Sequence, residues 1–395
     1  MAESGRDDAP SSLDRERTRE IFESSTDFTV GLEEEFAIVD PETLELVHSF
    51  EDLYAACQRD EVLGEAAAGE LIDCEIEIRS GRGETFRDAV ERQRERRSRL
   101  FATAGELGLG LAATGTHPWA GYLDQRIIDT AHYNRLRDEL RWVAQRNTTW
   151  SLHVHMGVQG ADRAVAVCDH LRCVLPELLA ASANSPFLDG EDTGLASVRS
   201  EIFTRTFPRC GVHEPFGDYA TYAGFIDALT ATNSIVESTQ LWWSVRPHHR
   251  FGTVELRICD AQASGTDSFG LAGLIAACIA QAAIDHSDGA LGEPMRGREV
   301  EENLWRAIRW GMDGKLIDWE RGEEIATPAA VERLVEWTEP ARSALGIDVV
   351  LPALNGTQRA REALAGGATI PDVYRESVAE TRRTYAPELV SAPAE

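Results

Sequence analysis

The chain has 395 residues and 43% hydrophobic content, enough for one large domain or two ordinary ones with a real core. Its 67 acidic residues outnumber 39 basic ones, and a net charge of −28 excludes nucleic acid and anionic membranes as general partners. Nearly all the basic residues are arginine. The only lysine, Lys315, lies in a turn-like M-D-G-K-L-I-D segment, which excludes a lysine-bearing phosphate loop and argues against Schiff-base chemistry.

Seven cysteines form no C-x-x-C pair, so buried free thiols in a reducing compartment are expected. The charged N-terminus does not read as a signal peptide. The longest apolar run, 269–284, reads as too short and too rich in Ala and Gly to span a bilayer. These features point to a soluble cytoplasmic protein.

In chain order, residues 1–25 read as a disordered or loosely helical tail, and 26–395 as a single catalytic domain. Residues 28–40 alternate as a strand, with Glu33 and Glu35 on one face and Val30, Leu32, Phe36 and Ile38 on the other. Alternation leaves Glu34 on the apolar face without an explanation. A short helix over 49–58 follows, then a strand over 71–79 that carries Glu75, Glu77 and Arg79 on its polar face. Glu70 is seven residues from Glu77, so it shares that face only from a lead-in segment or across a bulge.

A long helix is expected over 84–106, and a buried strand over 109–113 that ends in T-G-T-H-P-W. His117 in that loop is either catalytic or structural. A helix over 129–147 presents Tyr133. The strand over 150–158 places Ser151, His153, His155 and Gly157 against four apolar residues.

Asp162 reads as the N-cap of a helix through 181, and 186–215 as a long irregular loop containing Arg199. Another helix is expected over 218–241. Arg246 then precedes a strand over 252–259 that sets Thr253, Glu255 and Arg257 against Val254, Leu256 and Ile258. A buried helix over 268–285 and an all-helical segment from 298, with an amphipathic helix over 329–344, complete the chain.

Four strands with one greasy face and one face of Glu, His or Arg predict an α+β fold. An antiparallel sheet carries helices on one face and an active-site cleft on the other. Neighbouring carboxylates on a sheet repel, and a hard cation held by oxygen ligands offsets that repulsion. Carboxylates outnumber histidines, which favours Mg²⁺ or Mn²⁺ over zinc. Arginines on the same face suit phosphate oxygens. Residue types alone leave two classes open: phosphoryl transfer from a metal-bound nucleotide and metal-assisted hydrolysis.

The motifs G-L-E-E-E-F-A-I-V-D-P-E-T, T-G-T-H-P-W, H-V-H-M-G, S-V-R-S-E-I-F and R-P-H-H-R-F-G-T-V-E-L-R resemble, in order and spacing, the carboxylate–amine ligase family also called glutamate–cysteine ligase type 2. The resemblance covers about 28–314. It implies a glutamine synthetase-like curved antiparallel sheet with ATP and Mg²⁺ or Mn²⁺ over its polar face.

On this resemblance Glu33, Glu35, Glu70, Glu77, His153 and Glu255 are metal ligands, and His155 meets ATP phosphates. Arg246 and Arg257 hold phosphate or the developing acyl phosphate and act in catalysis; Arg199 and Tyr133 bind substrate. Glu75 has no place in the pattern, and solvent exposure or an ion pair with Arg79 is its expected fate. The implied reaction joins the γ-carboxylate of L-glutamate to the amine of L-cysteine with ATP. Another amine or a catalytically silent relative are the alternatives, and a homo-oligomer is left open. The acidic, lysine-poor composition is similar to that of halophilic archaeal proteins.

Overall fold

The computed structural model describes residues 14–387. Its central antiparallel sheet is built from β1 (Val30–Val39), β2 (Ala67–Ala68), β3 (Glu75–Arg79), β4 (Gly110–Ala112), β5 (Ser151–Gly157), β10 (Val245–His248) and β11 (Thr253–Asp260). Three small pairs lie outside it: β6 (Phe187–Leu188) with β7 (Glu191–Asp192), β8 (Cys210–Gly211) with β9 (Trp242–Trp243), and β12 (Lys315–Asp318) with β13 (Glu323–Ala326). The central order is β10-β11-β5-β1-β3-β2, with β4 also paired to β1.

Register decides which side chains meet, because residues directly opposite in an antiparallel pair share a face. Glu33 faces His153 and Glu35 faces Glu77, while Glu255 lies between His155 and Arg246. On the reverse face Leu32 and Leu256 flank Val154, and Val30 and Val254 flank Met156. All six of those apolar side chains are buried, and each contributes about 1.5–3 kcal/mol of burial free energy.

Helices Ala161–Leu171, Leu175–Ser182 and Gly265–Ser287 cover this apolar face beneath β5, β10 and β11, and helix Phe86–Glu106 covers it beneath β1 and β3. The Gly265–Ser287 helix corrects one expectation. By length and composition it is long and apolar enough to cross a membrane, yet 89% of its most apolar window is buried inside the protein. Its small residues serve close packing: a Cβ on Gly273 would sit 2.5 Å from the Asp348 carbonyl oxygen.

Glu34 points into this helical layer. Its carboxylate accepts from Arg97 Nη1 at 2.9 Å, from Gln93 Nε2 at 2.9 Å and from the Ser268 hydroxyl. The Arg97 and Glu34 side chains are only 2% and 5% exposed. Arg97 also stacks between the rings of Phe269 and Tyr385. The acid on the greasy face is therefore half of a buried ion pair that ties β1 to two helices.

Several element boundaries differ from expectation. Within the expected tail, Arg15–Glu23 is a helix capped by Asp14, with Phe22 fully buried, whereas residues 1–13 lie outside the described ones. The expected strand over 71–79 begins only at Glu75, so Glu70 acts from the lead-in. The helix expected over 129–147 stops at Leu140, because Arg141 adopts φ +55° and the chain continues as a 3₁₀ turn. Asp162 lies inside the first turn of a helix whose N-cap is Gly160, and that helix ends at Leu171.

The expected loop over 186–215 contains the helix Val198–Thr206, capped by Ser197 Oγ. The helix expected over 218–241 is Tyr219–Ala231, and the C-terminal segment is not all-helical, since β12 and β13 form a hairpin there. The amphipathic helix expected over 329–344 is split into Thr327–Trp337 and Glu339–Leu345.

Removing one partner of a buried ion pair leaves the other charge uncompensated, at about 3–5 kcal/mol. Arg97→Met is expected to lower unfolding free energy by that amount in urea titration, and the double variant Glu34→Gln/Arg97→Met by less. A loss below about 1 kcal/mol in the single variant, the scale of a surface pair, contradicts the assignment.

Candidate active site

The polar face of the sheet gathers the acids that alternation places there. One ligand atom from each of Glu33, Glu77 and His153 lies within 4.8 Å of the other two, and the same holds for Glu33, His155 and Glu255, and for Glu35, Glu70 and Glu77. All six expected metal residues thus converge. His155, given to ATP phosphates by resemblance, joins them in a cation-type set.

Hydrogen bonding fixes which atoms are available. Ser151 donates to Glu35 Oε2 from its backbone N–H at 2.5 Å and from its hydroxyl at 2.6 Å. That hydroxyl has one proton, so at its 2.7 Å contact with His153 Nε2 the ring must be the donor. The Nδ1 lone pair of His153 then faces Glu33 Oε2 at 3.2 Å, two acceptors with no proton between them in the neutral ring. Burial, then the Arg257 charge, pushes His153 down to about 4, which keeps the ring neutral at pH 7.

His155 is held through Nδ1 by Thr253 Oγ at 3.0 Å. Its buried Nε2 has no hydrogen-bond partner and lies 3.4 Å from Glu33 and 3.7 Å from Glu255. Paired acceptors and an orphaned ring nitrogen among carboxylates fit divalent cations of the Mg²⁺ or Mn²⁺ class.

The carboxyl groups divide by environment. Burial raises Glu255, but Arg246 and Arg257 outweigh it and hold the group well below the usual range. For Glu33, burial is overcome by His155 and His153. At the other end burial and mutual repulsion win: Glu70 is pushed up to about 7 by burial and Glu35, and Glu77 well above the usual range by burial, Glu33 and Glu70.

Arg246 grips Glu255 with Nε at 2.5 Å and Nη2 at 3.3 Å, and donates Nη1 to the Leu241 carbonyl at 2.7 Å. Arg257 Nη1 also bonds Glu255, leaving its buried Nε unpartnered. Between the pairs Leu256/Val154 and Cys259/Leu152, β11 has one more residue than β5, a bulge opposite His153 that includes Arg257. Arg199 donates to the carbonyls of Ile258 at 3.0 Å and Arg257 at 3.1 Å, and approaches Asp260 at 3.5 Å. Sequence reasoning passed over that support, in which Ser197, the first residue of the Arg199 motif, and Ser185 both donate to Asp260.

A cavity of about 330 Å³ adjoins the acidic end, lined by Glu35, Glu70, Glu75, Tyr133, Arg199 and Arg257 among others. Tyr133 donates its hydroxyl to the Gly69 carbonyl at 2.7 Å, which steadies the Glu70 lead-in, and the neighbouring His132 pairs with Glu237 at 3.1 Å. Glu75 corrects an expectation. It is 1% exposed, Arg79 pairs with Glu77 instead, and the buried Glu75 Oε2 has no partner. Burial, then Glu35, Glu70 and Glu77, raise this carboxyl well above the usual range.

His117 is structural. Its Nε2 bonds the Leu44 carbonyl at 2.8 Å, and Nδ1 accepts from the Ala120 N–H at 3.0 Å. All seven cysteines are free thiols, and Cys74 and Cys259 are both buried.

Comparison with known proteins identifies the family. Residues 29–376 match the family described as Glutamate-cysteine ligase family 2. A Rubrobacter xylanophilus protein provisionally named glutamate–cysteine ligase 2-2 is 39% identical over 321 residues, covering 80% of this chain and 82% of its own. A Sorangium cellulosum protein provisionally named glutamate–cysteine ligase 2 is 37% identical, covering 81% of this chain and 85% of its own. These relatives are bacterial, which gives the expected halophilic archaeal source no support.

Among solved structures, glutamate–cysteine ligase from Francisella tularensis, in complex with AMP, superposes with a TM-score of 0.64 at 12% identity, covering 93% of this chain and 91% of that one. A bifunctional glutathione synthetase from Pasteurella multocida gives 0.65 at 12% identity, covering 94% of this chain and 54% of that one. At such identity the likeness shows the fold. The sequence match covers most of the chain, and the protein belongs to glutamate–cysteine ligase family 2.

Proposed function

We propose that this protein joins the γ-carboxylate of L-glutamate to the amino group of L-cysteine through a γ-glutamyl phosphate, with ATP converted to ADP and phosphate. Membership in a family of ATP-dependent carboxylate–amine ligases supports the class. The observation that carries the reading is the row of three overlapping cation-type sets running into a cavity that holds unpaired guanidinium nitrogen.

A carboxylate is a poor electrophile and must be phosphorylated before an amine can displace its oxygen. Mg²⁺ or Mn²⁺, held by Glu33, Glu35, Glu70, Glu77, His153, His155 and Glu255, would supply charge neutralisation for the phosphate oxygens. Arg257 lies between these sets and the cavity, where its charge can stabilise the phosphoryl group in transfer and the acyl phosphate that follows. Arg246 fixes Glu255 and adds a second positive charge on the same side. Arg199 holds the bulge that aims Arg257 and borders the space for the substrate carboxylate.

A ligase for a different amine is the second reading. Its support is that no residue of the cavity wall is specific for a thiol.

Purified protein with ATP, Mg²⁺ and L-glutamate is expected to release ADP when L-cysteine is added, in a panel of single amino acids. Release with other amines and not with cysteine would replace the amine and keep the class; no release with any amine overturns the ligase reading. Glu33→Ala and Glu255→Ala are each expected to abolish turnover with an unchanged circular dichroism spectrum, and wild-type rates in either variant contradict the assigned role.

Cations that bind only the folded state stabilise it by about 2.7 kcal/mol at a hundredfold excess over Kd. The Tm is therefore expected to rise with Mn²⁺ and to rise less in Glu77→Gln, which belongs to two of the three sets. Identical shifts in the two proteins contradict the cation assignment.

A further inference from the structure

We infer that Glu75 is a specificity-determining residue that receives the α-ammonium group of the acid substrate. The inference rests on the reading above that this substrate is an amino acid.

Glu75 lies opposite Ala37 on the polar face, two residues from Glu77, and lines the cavity beside the cation sets. Its Oε2 is buried and has no hydrogen-bond partner. A buried carboxylate oxygen left without a partner costs free energy, and a ligand that supplies a donor regains it. Glu75 belongs to none of the three cation-type sets, so no preformed ligand shell offers it a divalent ion.

The surrounding wall narrows the donor further. The same cavity presents Arg199 and Arg257, whose Nε atoms are likewise buried and unpartnered. A carboxylate oxygen without a partner and two guanidinium groups that each keep a free Nε, on one small cavity, match a zwitterion, with the ligand's ammonium at Glu75 and a carboxylate toward the guanidinium groups.

Chemistry decides which of the two ammonium groups is held. The attacking amine must be neutral when it forms the new bond, and a carboxylate partner would keep it protonated. The α-ammonium of the acid substrate does not react, so it can stay charged and paired throughout. Glu75 then selects an α-amino dicarboxylate over the same dicarboxylate without the amine.

The test compares L-glutamate with glutarate, which lacks only the amino group. Calorimetric titrations with wild type, Glu75→Gln and Glu75→Asp, in Mg²⁺ and a non-hydrolysable ATP analogue, are paired with thermal melts that confirm folding. Losing one charge-assisted hydrogen bond corresponds to about 10–100-fold in affinity. Wild type is expected to prefer L-glutamate by about that factor, Glu75→Gln to lose the preference while its glutarate affinity stays within about twofold, and Glu75→Asp to retain part of it.

Equal loss for both ligands, no loss, or one fewer Mn²⁺ bound per chain in Glu75→Gln overturns the role of Glu75 and leaves the ligase reading standing. Failure of wild type to bind L-glutamate sinks the substrate assignment and this inference together. Should Glu75→Gln melt below the assay temperature, Glu75→Asp carries the test, and an unchanged preference in a protein whose carboxylate is withdrawn by one methylene overturns the proposal.

Discussion

The repulsion among carboxyl groups on one sheet face is the constraint around which this molecule is built. Glu35, Glu70 and Glu77 approach within 4.8 Å of one another, and Glu75 lies beside them. At that separation, with an effective dielectric of about 20, each ionised pair costs about 3–4 kcal/mol. Three such pairs rival the whole stability of a typical domain, about 5–15 kcal/mol. The bare site therefore holds protons on some of these groups, which is the direction in which Glu70, Glu75 and Glu77 are shifted. Multivalent cations relieve the same strain more fully and leave the oxygens facing a phosphate chain.

Holding such a face open requires a scaffold that does not relax around it. Where Glu34 enters the helical layer behind the sheet, Arg97, Gln93 and Ser268 satisfy its charge. On the polar side Ser151 orients both Glu35 and His153, while Arg199 bonds the carbonyls at the bulge that presents Arg257. These neighbours exclude the rotamers in which the acids would swing apart. Placement of the site on strands gives it the precision that loops lack, and only Glu70 is supplied from a lead-in, itself steadied by Tyr133.

Strand alternation made most of the site legible in the sequence. Period-two patterning puts Glu33, Glu35, Glu77, His153, His155 and Glu255 on one face, and the observed registers agree. What alternation cannot express is a partner distant in sequence. The rescue of Glu34 by Arg97 and Ser268 needs the fold, although Gln93 and Arg97, four apart on one helix, are polar residues on its buried side. The bulge at Arg257 shifts register inside a strand that reads as regular. Glu75 sits in phase with Glu77, but its burial, beside a cavity it shares with the distant Tyr133, is encoded by no local pattern. Element ends were missed where a non-glycine residue takes positive φ, as at Arg141.

Anomalous diffraction from crystals grown with Mn²⁺ and a non-hydrolysable ATP analogue would locate the cations on the acidic sheet face. Mn²⁺ peaks are expected between Glu33, Glu35, Glu70, Glu77, His153 and Glu255, with the nucleotide phosphates beside them. Nucleotide bound with no manganese on this face, or manganese bound elsewhere while these acids keep their protons, would contradict that placement.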